Sequence, residues 1–125
     1  MPNVALNTHA AAQRRAAFLC GDFASACALL SQARGFQCFD LILTAESIYN
    51  PHSAQQILEG CDVCLSRHGR VLIAAKSHYF GVGGGLAAFK SQVARHRAFD
   101  ICVVQRIDNG ASNVREVLQL ERRSC

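Results

Sequence analysis

The chemistry-bearing residues of this chain cluster in two segments. Residues 40–50 read Asp-Leu-Ile-Leu-Thr-Ala-Glu-Ser-Ile-Tyr-Asn, and residues 75–85 read Ala-Lys-Ser-His-Tyr-Phe-Gly-Val-Gly-Gly-Gly. In each, an apolar strand-like run ends in polar, aromatic or glycine residues. Open α/β sheets hold their ligands just beyond the carboxyl ends of the strands, so both segments end where a site would be. The spacing Glu46-x-x-Tyr49, followed by Asn50, sets a carboxylate, an aromatic ring and an amide close together. A carboxylate can accept a hydrogen bond from a ring N–H, and an aromatic wall can hold a ring plane. On local rules alone, Asn50 is equally a helix cap and Glu46 a surface carboxylate. The glycines from Gly81 to Gly85 permit positive φ or close backbone approach. His9, His52, His68 and His96 share no ligand spacing and read as surface residues.

Cys61-x-x-Cys64 admits a zinc reading, but a structural zinc site needs a second ligand pair, and none stands at suitable spacing. Ala54, Ile57, Leu58, Cys61, Cys64 and Leu65 instead recur at helical spacing, which turns both thiols toward a core. Seven cysteines, an odd number, fall partly inside apolar runs (Cys20, Cys61, Cys64, Cys102). Reduced, mostly buried thiols fit a cytosolic or nuclear protein. No secretory segment or apolar span of membrane length is present, so no membrane partner is expected. The net charge of +4 comes from 13 basic and 9 acidic residues. These are scattered rather than striped, which argues against direct nucleic-acid binding.

The elements that must position these residues follow from pattern. At 125 residues the chain is expected to be a single domain (1–125) with a core of its own. Ala16 to Cys20 reads as a strand, and Asp22 caps a helix running to Ala33 and ended by Gly35. Phe39 to Ala45 is a nearly continuous apolar run, as in a strand buried on both faces. Asn50-Pro51, or alternatively Ser53 with Gln56, opens a helix that Gly69 stops. Val71 to Ala75 is a second buried strand. A helix from about Leu86 to Arg97 turns Leu86, Phe89 and Val93 inward. Ile101 to Ile107 and Val114 to Leu120 are strands joined at Asp108-Asn109-Gly110. Alternation of this kind gives an α/β fold with a mostly parallel sheet and a terminal antiparallel hairpin.

A sheet of that kind resembles the latter part of a class I, seven-stranded methyltransferase that uses S-adenosyl-L-methionine. Residues 39–51 and 69–85, with Pro2-Asn3-Val4 and Leu19-Cys20-Gly21-Asp22-Phe23, closely resemble the eukaryotic protein-histidine methyltransferases of the methyltransferase-like group. The likeness runs from about Pro2 to Leu120. It implies protein-histidine N-methyl transfer, a large-subunit ribosomal protein as substrate, and a cytoplasmic or nuclear location including the nucleolus. By the same resemblance Glu46 orients the acceptor or takes its proton, Tyr49 is a wall and Asn50 a positioning group. Gly21, Asp22 and Phe23 would lie by the adenine, and Thr44 and Ala45 would line the cofactor cleft. His78, Tyr79 and Gly83 would belong to the substrate rim, and no metal is implied.

The resemblance also implies a strand order of 3-2-1-4-5-7-6, in which this chain lacks the first two strands and the glycine-rich cofactor loop. No Asp/Glu-x-Gly-x-Gly follows a strand, and Gly81 to Gly85 lies too far past its strand to substitute. The expectations that follow are a marginally stable chain, weak binding of S-adenosylmethionine alone, and an apolar edge on the Phe39–Ala45 strand that invites self-association. Two other readings stand beside the enzyme. One is a non-catalytic truncated form acting as an interaction module. The other is a lysine methyltransferase on the same scaffold.

Overall fold

The computed structural model describes residues 18–34, 39–81, 83–108, 110 and 114–124. Its elements are α1 (Phe23–Arg34), β1 (Phe39–Ala45), α2 (Pro51–Cys64), β2 (Leu65–Lys76), α3 (Leu86–His96), β3 (Phe99–Ile107) and β4 (Arg115–Arg122). The strands form one mixed sheet in the order β1-β2-β4-β3. β1 runs parallel to β2, with Leu43 opposite Leu72 and Ala45 opposite Ala74. β4 is antiparallel to both β2 and β3. The expected α/β class and the closing antiparallel strands are present, but the described sheet is mixed rather than mostly parallel: β1 with β2 is its one parallel pairing and the other two are antiparallel.

One face of the sheet carries the core. Val71, Ile73 and Ala75 of β2 and Leu118 and Leu120 of β4 are buried against Ile57, Leu58 and Cys61 of α2 and Phe89 and Val93 of α3. Alternation along β2 and β4 places these side chains on the same face. α1 packs on α2 rather than on the sheet, at the cost of a side chain at Gly60. A Cβ there would meet the Phe23 ring at 2.6 Å.

Several sequence expectations change. Ala16 and Ala17 lie outside the described residues, and residues 18–20 form no strand. Gly35 also lies outside them. β1 is not buried on both faces: Leu41 is 50% and Leu43 67% exposed. The described helices cover one face only, and an apolar run cannot report which of its faces has a partner. Gly69 does not end α2. The helix stops at Cys64, and Leu65 opens β2 at once. Arg122 makes that abrupt exit possible. Its guanidinium donates to the Asp62 carboxylate (2.8 Å), to the Asp62 carbonyl and to the Leu65 carbonyl. The orphan carbonyls of a helix end are thus satisfied from the last strand rather than by a local glycine cap. Cys61 and Cys64 are fully buried as expected, but Cys20 and Cys102 are exposed.

Candidate functional site

Glu46 begins where β1 ends. Its N–H still donates to the Ala74 carbonyl (2.9 Å), which carries the ladder one residue past the strand. Its φ of 54° then turns the chain out of the sheet. A non-glycine residue in that region carries strain of about 1 kcal/mol or more and is a recurrent feature of functional sites. The turn delivers the chain to α2. Ile48 plugs the core, Tyr49 is left 45% exposed, and Asn50 caps the helix by accepting the Ser53 N–H at 2.8 Å. Of the two capping alternatives, Asn50 with Pro51 at the first turn is the one adopted. The carbonyl of Asn50 is committed to the cap, which leaves its amide N–H groups for a ligand. Thr44 donates to the Ser47 hydroxyl at 2.8 Å and so braces the same turn.

The second segment is fixed against the first. Ser77 donates through both its N–H (2.8 Å) and its hydroxyl (2.9 Å) to the Val114 carbonyl. His78 and Gly85 form an antiparallel bridge that closes the intervening loop. Gly84 lies directly against the backbone of Tyr49 and Asn50, where any Cβ would meet the Tyr49 carbonyl oxygen at 2.1 Å. Only glycine allows the loop to seat there. Gln92 of α3 donates to the Pro51 carbonyl (2.9 Å) and holds the start of α2 from the other side. Gly83 has a φ of 70° and points into open space, and Phe80 at the loop tip is 91% exposed.

Three groups converge at the strand ends. Lys76 Nζ stands 3.3 Å from Glu46 Oε2 and 5.9 Å from the centre of the Tyr79 ring. The Lys76 N–H donates to the Tyr79 hydroxyl at 3.2 Å. Burial pushes the Tyr79 phenol above its usual range. The Lys76 N–H opposes that shift, and the Glu46 carboxylate adds to it by charge and as a hydrogen-bond acceptor. Tyr79 is thus held protonated beside Glu46, half-buried and packed against the core. Lys76 is not among the residues that spacing singles out. The signal was present: an acid and a base end two adjacent apolar strands, and parallel pairing brings strand ends together.

The residues expected near a nucleotide separate into two places. Asp22 caps α1, accepting the Ser25 N–H at 2.9 Å, and that bond holds its carboxyl below the usual range. Phe23 lines a groove of about 230 Å³ with Cys27, Leu30, Phe39 and Ile42. Gly21 precedes them with a φ of 142°. Thr44 and Ala45 line a different groove, of about 320 Å³, with Leu43, Leu72, Ala74 and Val117. Among the described residues, no cluster of metal-ligating side chains occurs.

No protein-family model matches the chain. Curated relatives do. A histidine protein methyltransferase 1 homolog of Rattus norvegicus is 43% identical over 90 residues, covering 72% of this chain and 25% of that protein. The Bos taurus homolog is 39% identical over 94 residues. The Dictyostelium discoideum homolog is 34% identical over 119 residues, covering 95% of this chain and 37% of that protein. The chain thus spans about a quarter to a third of the length of these relatives. Among solved structures, the fibrillarin pre-rRNA processing protein of Methanococcus jannaschii superposes with a TM-score of 0.51 at 16% identity, over 84% of this chain and 45% of that one. That likeness shows the fold alone. Over most of its length, the chain is homologous to the histidine protein methyltransferase 1 homologs, on a fibrillarin-like α/β fold.

Proposed function

We propose that this chain carries the methyl-acceptor side of an S-adenosyl-L-methionine-dependent protein-histidine N-methyltransferase, acting on a large-subunit ribosomal protein in the cytoplasm or nucleus. The observation that carries the reading is the Glu46-to-Asn50 turn at the end of β1, within a stretch homologous to histidine methyltransferases. The sheet order β1-β2-β4-β3 supports it, since it matches the last four places of 3-2-1-4-5-7-6. On this reading residues 1–125 belong to one methyltransferase domain.

When bound, S-adenosylmethionine supplies an electrophilic methyl group on a sulfonium. The acceptor must be a neutral ring nitrogen with its lone pair directed at that carbon. Histidine has an unperturbed pKa of ~6.5 and is largely uncharged near neutral pH, whereas lysine at ~10.4 must first lose a proton. The site therefore needs orientation more than a strong base. Glu46 accepts the N–H of the non-reacting ring nitrogen and so fixes the tautomer. Tyr49 walls the ring, and the Asn50 amide positions the peptide. His78 and Gly83 lie on the rim, and Tyr79 supports Glu46 from below. Gly21, Asp22 and Phe23 receive the adenine, with Thr44 and Ala45 along the cleft.

The test is binding of a peptide with a single histidine, compared with the same peptide bearing lysine. The histidine peptide binds more tightly, and Glu46→Gln weakens it by about five- to twentyfold, the scale of a lost charge-assisted hydrogen bond of ~1–2 kcal/mol. A lysine peptide that binds at least as well, or indifference to Glu46→Gln, contradicts the reading.

A further inference from the structure

The carboxylate at the centre of the site already has a cation. Lys76 Nζ lies 3.3 Å from Glu46 Oε2, and the two side chains are 37% and 47% exposed. A second cation is close: Arg115 pairs with Lys76 in register across β2 and β4, and its charge acts on Tyr79. The Tyr79 hydroxyl, which accepts the Lys76 N–H, holds the backbone from which Lys76 projects. Lys76 thus pairs with the Glu46 carboxylate, with Arg115 beside it on the neighbouring strand, and the nearby Glu116 carboxylate is taken up by Lys90 and Arg106. Such a site offers a hydrogen-bond acceptor without a net negative field.

We propose that Lys76 is a specificity-determining residue that makes the Glu46 site select a neutral imidazole over an alkylammonium side chain. This rests on the histidine reading above and names the residue behind its selectivity. The selection is electrostatic. An imidazole asks of Glu46 only that it accept one N–H, and a carboxylate, with about four lone-pair sites, can do so while it still holds Lys76 and the Tyr79 hydroxyl. A lysine ammonium gains its affinity from an unpaired carboxylate. Here it meets one already paired, must displace Lys76 to reach it, and is repelled by both Lys76 and Arg115. Like charge brought against an incoming group is a recurrent means of rejecting a wrong partner. The partial exposure of the pair sets the scale. Exposed ion pairs couple by ~0.2–1 kcal/mol, so the effect on relative affinity reaches at most about fivefold at low salt and is smaller at high salt.

The experiment measures both peptides, histidine and lysine, against the wild-type chain and its Lys76→Met and Lys76→Arg variants at low and high salt. Thermal unfolding confirms that each variant is folded. Lys76→Met is expected to raise the affinity for the lysine peptide by up to about fivefold while changing that for the histidine peptide less, with the difference shrinking as salt rises. Lys76→Arg, which keeps the charge, is expected to restore the wild-type ratio. A merely structural role for Lys76 would lower both affinities together. A ratio unchanged by Lys76→Met, or not restored by Lys76→Arg, overturns the inference and leaves the histidine reading intact. A wild-type chain that prefers the lysine peptide, or binds neither, overturns that reading and the inference with it.

Discussion

At the residue scale, Glu46 shows what a sequence conceals and what it discloses. Its identity and its place after an apolar run are legible. Its φ of 54° is not, because glutamate is no turn residue and nothing in the local pattern asks for the left-handed region. The conformation is imposed from outside, by the Ala74 carbonyl on one side and the capped start of α2 on the other. Strain held at Glu46, on the proposed role of its carboxylate, leads to a definite expectation. Glu46→Gly raises folding stability by about 0.5–1 kcal/mol in denaturant titration while weakening histidine-peptide binding at least as much as Glu46→Gln does, the trade between stability and function expected of a strained site. Cys61 tests the buried thiols. Desolvation pushes its pKa up to about 12 from an ordinary value of 9.0. The unfolded chain therefore loses this proton first, so the associated stability is fully present below about pH 9 and is lost as pH rises toward 12. At ~1.4 kcal/mol per pH unit the loss amounts to a few kcal/mol, and Cys61→Ala flattens that alkaline limb. In the native state iodoacetamide modifies the exposed Cys20 and Cys102 but leaves Cys27, Cys61 and Cys64 unmodified. Modification of Cys61 at the rate of Cys102 contradicts this burial.

At the element scale, helix starts and faces are legible because their causes are local, although the apolar run ending at Cys20 forms no strand over residues 18–20. Asn50-Pro51 opened α2, Asp22 capped α1, and the spacing of Leu86, Phe89 and Val93 gave the inner face of α3. Readings failed where the cause lay far along the chain. The end of α2 is set by Arg122, which is about sixty residues away in sequence, so Gly69 misled. The exposure of Leu43 depends on what covers the far face of the sheet, which an apolar run cannot report. Gly84 falls between these cases. Its place in a glycine loop was plain, yet its contact with Tyr49 needed the fold. Gly84→Ala is expected to cost about 1–3 kcal/mol in thermal or chemical unfolding, because the added Cβ collides with a backbone carbonyl that cannot rotate away. A neutral result would mean that the loop does not rest on the Tyr49–Asn50 peptide. Asn50→Ala costs about 1 kcal/mol through the lost cap alone.

At the scale of the whole molecule, the core lies on one face of the sheet, while β1 forms an edge with Leu41 and Leu43 exposed. No helix among the described residues is long and apolar enough to cross a membrane. Among the described residues β1 has no strand on its outer side, so concentration-dependent self-association through it is expected. Sedimentation should show it, and replacing Leu43 by Lys should reduce it. The candidate adenine residues and the Thr44–Ala45 groove are separate, so affinity for the nucleotide product is expected to be low. Saturating S-adenosylhomocysteine at ~1 mM should raise the unfolding midpoint by no more than about 3 °C, whereas micromolar binding would give a shift of ten degrees or more. The central claim is that an imidazole docks where β1 and β2 end. The most direct measurement is a chemical-shift map of the isotope-labelled chain during titration with the histidine peptide. The account predicts that resonances of Glu46, Tyr49, Lys76 and Tyr79 move together with a single binding constant, and that Glu46→Gln suppresses the shifts. Perturbations centred instead on the exposed sheet face, or a response untouched by Glu46→Gln, would contradict it.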